Sequence, residues 1–244
     1  REPRLGEALG GEEQVGDDTM KPRAVCLCSG GLDSTVAAAK ALRDGFEISI
    51  IHILYGQKAE ARERRAIGEI AEALGASEVR FARTDLFRNM TPLTTAEAAI
   101  PSGDEVDIDS PKSTPSTWVF CRNLVFGSMA AAFAEAIGAE RIYVGFNAEE
   151  GRSYPDNRPE FVERFNSLLE KSVASFSRPP KIEAPLVDLQ KPDIVRLGAE
   201  VGAPMKLTWS CYLNGDQHCG ECEACKHRRF GFLEAGVVDP TEYR

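Results

Sequence analysis

The sequence has no long hydrophobic run, and its basic residues are outnumbered by acidic ones. No stretch approaches the roughly 20 apolar residues that a transmembrane helix needs, and no signal-peptide pattern opens the chain. The 244 residues include 29 Lys and Arg against 38 Asp and Glu, a net charge of -9. Proteins that bind nucleic acid usually carry a positively charged surface patch. The excess of acidic residues therefore argues against a nucleic-acid partner and favours small-molecule substrates. The absence of a hydrophobic run and of a signal-peptide pattern favours a cytoplasmic protein without a membrane partner.

Cysteines are few except in one short segment, where four of the seven fall within fifteen residues. An odd number clustered in this way, without a secretory signal, favours a metal site over disulfides. The spacing C-x7-C-x2-C-x2-C suits four thiolates around one zinc ion, which leaves no open position for catalysis. The alternative is a set of reduced structural thiols. The expected ligands are Cys211, Cys219, Cys222 and Cys225, with His218 and His227 expected to be bystanders.

Short apolar runs alternate with helical periods along most of the chain. This alternation predicts an α/β fold, a doubly wound and mostly parallel sheet with helices on both faces. Ligands of such sheets bind at the carboxyl ends of the strands. Strands are expected at about 24–28, 48–54 and 78–81, within 136–145 and at 182–186; helices are expected around Ile67 and at about 34–43, 122–137, 161–174 and 191–200.

The chain divides into three predicted regions. Residues 1–20 are polar, Gly-rich and acidic, which indicates a disordered extension, with Met20 a possible natural start. Residues 21–205 form the α/β domain, and residues 206–244 form a C-terminal zinc-binding subdomain. Within the domain, residues 86–117 are rich in Thr, Ser, Pro and Asp and show weak periodicity. Loops this long are usually functional or disordered, and we expect an active-site flap here.

The stretch CLCSGGLDST follows the first predicted strand. Adjacent glycines allow positive φ, and successive N–H groups ahead of a helix form a site for an anion. Ser29, Ser34 and Thr35 add hydroxyl donors, and Asp33 could hold Mg²⁺ against a pyrophosphate. The stretch matches neither the Walker A pattern nor the dinucleotide-binding pattern. The alternative is an ordinary strand-to-helix turn capped by Asp33 or Ser34.

Two further polar clusters lie near predicted helix or strand ends. Arg122 and Asn123 begin a helix and could bind a carboxylate and a heterocycle edge, or they could simply cap the helix and face solvent. The segment GFNAEEGRSYPDNRPEF directly follows a predicted strand, and its alternative interpretation is a hydrophilic connection with two turn-forming prolines. Its candidate residues are Asn147, Glu149, Glu150, Tyr154, Asp156 and Arg158.

Taken together and in this order, the motifs resemble the 7-cyano-7-deazaguanine synthase family, a branch of the PP-loop ATP pyrophosphatases. The resemblance covers about Lys21 to Pro240. The matching pieces are SGGLDST, YGQK (Tyr55–Lys58), RN (Arg122–Asn123), NAE and YPD-x-RPEF (147–161), PL-x-DL-x-K (ending at Lys191) and LTWSCY before the cysteines. Departures from the usual family pattern occur at Ala59, at Arg62, at Phe120 and Cys121, at 150–153 and at Asn157.

The resemblance implies an adenine-nucleotide alpha-hydrolase-like PP-loop domain and an ATP-dependent ligase. ATP would adenylate the carboxylate of 7-carboxy-7-deazaguanine, ammonia would displace AMP to give an amide, and a second ATP would drive formation of the nitrile. The implied cofactors are ATP, Mg²⁺ and structural Zn²⁺, and the implied assembly is a homodimer. Three alternatives stay open: a divergent enzyme that transfers the acyl group to another amine, such as a protein partner; a tRNA-modifying PP-loop enzyme; and a non-catalytic nucleotide-binding module.

The resemblance also assigns residues. The expected catalytic residues are Asp33, Ser34, Lys58 and Arg122. The expected nucleotide-binding residues are Cys28, Ser29, Gly30, Gly31, Leu32, Asp33, Ser34 and Thr35. The expected substrate-binding residues are Arg122, Asn123, Asn147, Glu149, Tyr154, Asp156 and Arg158.

Overall fold

The computed structural model describes residues 21–106, 108, 116–174 and 178–244. The predicted extension at 1–20 and, within the predicted flap at 86–117, residues 107 and 109–115 therefore lie outside the described residues. Within the described ranges the strands are β1 Arg23–Leu27, β2 Glu47–Leu54, β3 Glu78–Arg83, β4 Arg141–Tyr143 and β5 Lys181–Glu183. The helices are α1 Leu32–Arg43, α2 Glu60–Leu74, α3 Arg122–Ile137, α4 Ala148–Ser153, α5 Pro159–Ser172, α6 Lys191–Val201 and α7 Glu223–Ala235.

The strands form one parallel sheet in the order β3-β2-β1-β4-β5. β1 pairs with β2 on one side, with Ala24 opposite Ile48, and with β4 on the other, with Val25 opposite Ile142. The chain therefore winds outward from β1 in one direction and then in the other. The carboxyl ends of β1 and β4 diverge at the point where the winding reverses, which is where ligands of open α/β sheets bind. The predicted fold class is confirmed.

Both faces of the sheet are covered by helices. Successive strand residues point to opposite faces, so Val25 joins a core with α3 and α5 that includes Phe126 and Phe165. Its neighbour Cys26 joins a second core that includes Ile67 of α2. The sheet is thus buried on both faces, as its nearly continuous apolar strands require.

Two helices were not predicted from the sequence. The short helix α4 lies in the polar segment after β4, and α7 begins directly after Cys222. The sequence of α7, EACKHRRFGFLEA, has few apolar residues, and one of its buried positions is Arg228 rather than a hydrophobic side chain. The segment therefore lacks the regular spacing of apolar residues from which a helix is predicted. None of the described helices combines the length and apolarity that a bilayer crossing needs.

Candidate active site

A cavity of about 700 Å³ opens at the carboxyl ends of the strands. Its wall includes the turn after β1, the end of β2, the start of α3, and residues of α4, α6 and α7. The cavity has two chemically different sides. We call the first the phosphate side, formed by Ser29, Gly31, Asp33, Ser34 and Lys191, and the second the acceptor side, formed by Thr117, Trp118, Tyr154, Tyr212 and Glu223.

The turn after β1 is held by its own hydroxyl groups. The Ser29 N–H donates to Ser34 Oγ at 3.2 Å, and Ser34 Oγ and Thr35 Oγ1 donate to the Gly31 carbonyl at 3.2 and 2.8 Å. Helix α1 has Gly31 as its N-cap, without a side-chain cap bond, so capping by Asp33 or Ser34 is not what the structure has. The positive end of α1 and the free N–H groups of its first turn therefore remain available to an anion.

Two glycines make the tight approach around this turn possible. Gly30 has φ of +87° and lies against α2, where a Cβ would sit 3.1 Å from the Glu63 carbonyl oxygen. Gly145 follows β4, and a Cβ there would sit 2.6 Å from the Ser34 nitrogen. The end of β4 can lie against the start of α1 because this position has no side chain.

Asp33 is the centre of the phosphate side. Its Oδ2 accepts from Lys191 Nζ at 2.6 Å and from Asn147 Nδ2 at 3.2 Å. Its other oxygen, Oδ1, is buried and has no hydrogen-bond partner among the described residues. A carboxylate oxygen left free beside an anion site is the kind of ligand that Mg²⁺ uses together with phosphate oxygens, so the residues fit that ion.

Lys191 ends one of the matching sequence motifs but was not selected as a site residue, and it lines the cavity. Burial opposes the charge of its ammonium group, but the carboxylates of Asp33, Glu150 and Glu149 outweigh that effect and hold the pKa above its usual value. The residue begins α6, where a lysine usually faces solvent, yet it is 8% exposed. Gly231 of α7 packs directly against its stem, since a Cβ there would sit 2.4 Å from Lys191 Cγ.

Glu149 connects α6, α7 and the end of β4. One oxygen accepts from the Lys191 backbone N–H at 3.0 Å, and the other lies 3.2 Å from His227 Nδ1. Burial alone would raise the pKa of Glu149, but His227 and Lys191 lower it below its usual value. His227, which was predicted not to be a ligand of the cysteine site, lines the cavity. The preceding Asn147 caps α4 by accepting from the Glu150 N–H at 2.9 Å.

Arg122 and Asn123 begin α3 and line the cavity. The Asn123 N–H donates to Asp156 Oδ2 at 3.2 Å, so Asp156 holds the start of α3 in place rather than lining the cavity. Burial would lower the pKa of Arg122, but Tyr55, Glu150 and Asp156 keep it raised. The residue before it, Cys121, adopts φ of +53°, an uncommon conformation for a side chain other than glycine.

The acceptor side is mainly aromatic. The rings of Trp118 and Tyr154 stack with centroids 5.0 Å apart and planes 20° apart. The hydroxyl groups of Tyr212 and Thr117 donate to Glu223 Oε2 at 3.2 and 3.3 Å. Apart from Tyr154, none of these residues was selected from the sequence, because they come from segments that are far apart along the chain and only the fold brings them together.

Some predicted site residues do not line the cavity. Lys58 Nζ donates to the Ala96 carbonyl at 2.6 Å, and Arg158 Nε donates to the Gly151 carbonyl at 2.7 Å. Gly30, Thr35 and Asn147 lie behind the turn and support it. The structure thus brings Cys28, Ser29, Gly31, Leu32, Asp33, Ser34, Arg122, Asn123, Glu149 and Tyr154 to the cavity wall.

A buried acid lies at the cavity wall beside the phosphate side. Glu63 Oε2 accepts from Gln57 Nε2 at 2.8 Å and lies 4.0 Å from His52 Nε2. Burial raises the pKa of Glu63 to about 7, although Gln57 and Arg122 act against the rise. Burial also lowers the pKa of His52, whose other ring nitrogen is 2.8 Å from the Cys28 carbonyl oxygen.

The four clustered cysteines converge as predicted. Their sulfur atoms all lie within 4.8 Å of one another, and Cys219 and Cys225 are 3.9 Å apart. A tetrahedral zinc site with bonds of about 2.3 Å requires sulfur atoms about 3.8 Å apart, so the cluster fits such an ion. In the part of the chain that the structure describes, no histidine belongs to this set. His218 instead accepts from the Ser210 N–H at 3.0 Å and packs against Trp209.

The parallel sheet, the glycine turn after β1 and the cavity at the switch point define an α/β protein with its ligand site at the carboxyl ends of the strands. Residues 23–236 match the family described as queuosine biosynthesis protein QueC, and the chain belongs to that family.

Curated relatives cover nearly the whole chain. It is 68% identical over 222 residues to 7-cyano-7-deazaguanine synthase of Methanothrix thermoacetophila, covering 91% of this chain and 99% of the relative. It is 41% identical to the synthase of Acidobacterium capsulatum, covering 91% and 97% of the two chains. It is 40% identical to that of Methanococcus maripaludis, covering 91% and 98%.

Proposed function

We propose that this protein is an ATP-dependent ligase that converts 7-carboxy-7-deazaguanine and ammonia into 7-cyano-7-deazaguanine, with release of AMP and pyrophosphate. The full-length similarity to relatives named as synthases of that product supports the substrate. The observation that carries the chemistry is the Asp33–Lys191 pair beside the glycine turn, in the same cavity as an aromatic acceptor side.

The phosphate side suits attack at the α-phosphorus of ATP. A carboxylate oxygen of the acid forms a bond to that phosphorus, and the bond to the bridging oxygen of pyrophosphate breaks. The N–H groups at the start of α1 and the Lys191 ammonium stabilise the phosphate oxygens that gain negative charge. Ser29 and Ser34 fix the turn in this shape before substrate arrives, which lowers the cost of reorganisation.

Ammonia then forms a bond to the activated acyl carbon, AMP leaves, and the result is a primary amide. A second ATP activates the amide oxygen in the same way. The amide nitrogen loses its remaining protons while AMP leaves, which gives the nitrile. Arg122 lines the cavity and its charge acts on both Glu150 and Tyr154, so we assign it the role of holding the carboxyl end of the acid against the phosphate side.

Two metal ions belong to the proposal. Asp33 Oδ1 would hold Mg²⁺, which supplies charge for the pyrophosphate leaving group. Cys211, Cys219, Cys222 and Cys225 would hold Zn²⁺, which fixes the segment that leads into α7. Four sulfur ligands complete a tetrahedral shell, so the zinc contributes structure rather than chemistry.

The alternatives raised by the sequence are not favoured by the relatives, since those reported above are all named as synthases. The homodimer, a protein acceptor and the cytoplasmic location stay predictions. So does the division into an extension at 1–20, an α/β domain at 21–205 and a zinc subdomain at 206–244.

The direct test is the product. The purified protein is incubated with 7-carboxy-7-deazaguanine, ATP, Mg²⁺ and ¹⁵N-ammonium, and the products are read by mass spectrometry. We expect the nitrile with one ¹⁵N atom and two AMP for each nitrile formed. Accumulation of amide alone would limit the proposal to its first half, and AMP release without any nitrogen incorporation would contradict it.

A further inference from the structure

We propose that Glu223 recognises the 2-amino-pyrimidin-4-one edge of the substrate, with Tyr212 and Thr117 holding its carboxylate in place. This inference rests on the proposed function, because it concerns how a deazaguanine acid is told apart from similar bicycles. It makes Glu223 a specificity-determining residue of the acceptor side.

The geometry of Glu223 leaves one oxygen for a ligand. Both hydroxyl groups, of Tyr212 and Thr117, donate to Oε2. No described residue hydrogen-bonds the other oxygen, Oε1, and Glu223 lines the cavity. A carboxylate accepts at about four positions, so most of its capacity remains unused.

Four other acids of the cavity wall have partners on or near the phosphate side, and a fifth, Glu105, is exposed. Asp33 pairs with Lys191, Glu149 with His227 and the Lys191 N–H, and Glu63 with Gln57. Glu150 lies close enough to Lys191 and Arg122 for their charges to lower its pKa against the larger effect of burial. Among the described residues, Glu223 has hydroxyl donors but no ion-pair partner. Glu223 is therefore the acid of the acceptor side, and its Oε1 can accept from the N–H groups of a ligand.

The ring of a deazaguanine supplies such donors side by side. The N1–H and the 2-amino group point in the same direction, and a carboxylate can accept one bond on each oxygen, as it does from the fork of an arginine. An analogue without the 2-amino group offers one donor and leaves the carboxylate partly unpaired. A buried polar group left unpaired is costly, which is how sites reject analogues that lack a donor.

The surroundings of Glu223 fit a flat bicycle in this orientation. Trp118 and Tyr154 form a stacked pair on the same side of the cavity. Burial raises the pKa of Tyr154, and the negative charge of Glu223 raises it further. Tyr154 therefore lies close to Glu223. Arg122 is close to both Tyr154 and Glu150 and so lies toward the phosphate side. A ring with its 2-amino edge on Glu223 can direct its carboxyl group toward Arg122.

The first test compares two acids in the unmodified protein. We measure kcat/KM for 7-carboxy-7-deazaguanine and for the same acid without the 2-amino group. We expect the first to be preferred by about 100-fold, the range that one well-placed charged hydrogen-bond pair provides. Equal kcat/KM values for the two acids would overturn the inference. Failure to turn over either acid would instead contradict the proposed function.

The second test is Glu223→Gln. We expect kcat/KM for the deazaguanine acid to fall 10- to 100-fold, mainly through KM, while the preference between the two acids shrinks to a few-fold and the KM for ATP is unchanged. Glu221→Gln is the matched control, because Glu221 is exposed on the other side of Cys222. The Glu221→Gln variant should prefer the deazaguanine acid over its analogue to the same extent as the unmodified protein. If Glu223→Gln keeps the full preference, the inference is wrong.

Because Glu223 adjoins a cysteine of the cluster, bound zinc and the thermal midpoint are measured for each variant. Tyr212→Phe is a milder change, because it keeps Glu223 and removes only one hydrogen bond to its Oε2. We expect it to raise the KM for the deazaguanine acid a few-fold and to leave the KM for ATP unchanged. An equal rise in both KM values would show general damage and would count against the assigned role of Glu223.

Discussion

The phosphate side and the acceptor side of the cavity are built in different ways. On the phosphate side, short bonds join residues that are far apart in sequence: Asp33 bonds Asn147 and Lys191, which are 114 and 158 residues away. These residues lie at the ends of β4 and the starts of α1 and α6, so the core of the fold fixes them. On the acceptor side, Trp118 precedes α3 in a connection, and its neighbour Phe120 is 58% exposed.

This difference separates two properties of the enzyme. We propose that the chemistry of activation depends on the phosphate side, whose residues are held in place by the sheet and its helices and match the family pattern. We propose that the choice of acceptor depends on the acceptor side, and the departures from that pattern at Phe120 and Cys121 lie close in sequence to Trp118. Changes on the phosphate side should therefore remove activity with any substrate, whereas changes on the acceptor side should alter which substrate is used.

The largest effect is expected from Asp33→Asn. The amide keeps the shape of the side chain but loses the charge that pairs with Lys191 and would hold Mg²⁺. We expect kcat for AMP formation to fall about 10²- to 10³-fold, the usual loss when one preorganised electrostatic group is removed. Asp193→Asn is the control, because Asp193 is half exposed and pairs only with Arg196 three residues along α6. A drop below tenfold would contradict the central place given to Asp33.

A smaller and more selective effect is expected from Trp118→Leu. The change removes the ring that stacks on Tyr154 but keeps an apolar side chain. Because aromatic stacking on a base contributes about 1–3 kcal/mol, we expect the KM for the deazaguanine acid to rise about tenfold. The KM for ATP should not change. Steady-state kinetics with each substrate varied in turn would check this, and a rise confined to ATP would reverse the assignment of the two sides.

The last effect is on stability rather than on activity, and it concerns Glu63, which lies next to the phosphate side but outside its network of bonds. Its pKa is raised from the ordinary value to about 7, so ionisation of this acid costs stability in the folded state. The stability that depends on its neutral form is present below about pH 4.5 and is lost as pH rises through 7.

Glu63→Gln should remove this pH dependence. At pH 8 the variant should be more stable than the unmodified protein by about 3 kcal/mol, and at pH 4.5 the two should be nearly equal. Urea unfolding at both pH values measures the difference. A variant that is less stable at pH 8 would show that the ionised form of Glu63, which faces Gln57, His52 and Arg122, is stabilising after all.

Local signals in the sequence predicted most of the fold. The apolar runs and helical periods gave β1, β2 and α3 close to their observed bounds, and the cysteine spacing predicted a cluster that the structure confirms. What could not be predicted was contact across the fold. Lys191 begins a helix and reads as a solvent-exposed lysine until Gly231 of α7 is seen to cover it.

The same limit explains the other differences in the site. Glu223 and His227 sit in a charged segment with no apolar period, so nothing marked them as cavity residues. Conversely, Lys58 and Arg158 carry the right motif letters, but their side chains bond to the Ala96 and Gly151 carbonyl oxygens instead of reaching the cavity. A motif identifies a segment, whereas the packing around it decides which way each side chain faces.

Exchange of labelled pyrophosphate into ATP, measured without ammonia, tests the division of the cavity most directly. It reports activation of the acid alone. We expect exchange that depends on 7-carboxy-7-deazaguanine, disappears in Asp33→Asn, and persists in Trp118→Leu at a higher concentration of the acid. Exchange that proceeds without the acid, or that survives in Asp33→Asn, would contradict the account.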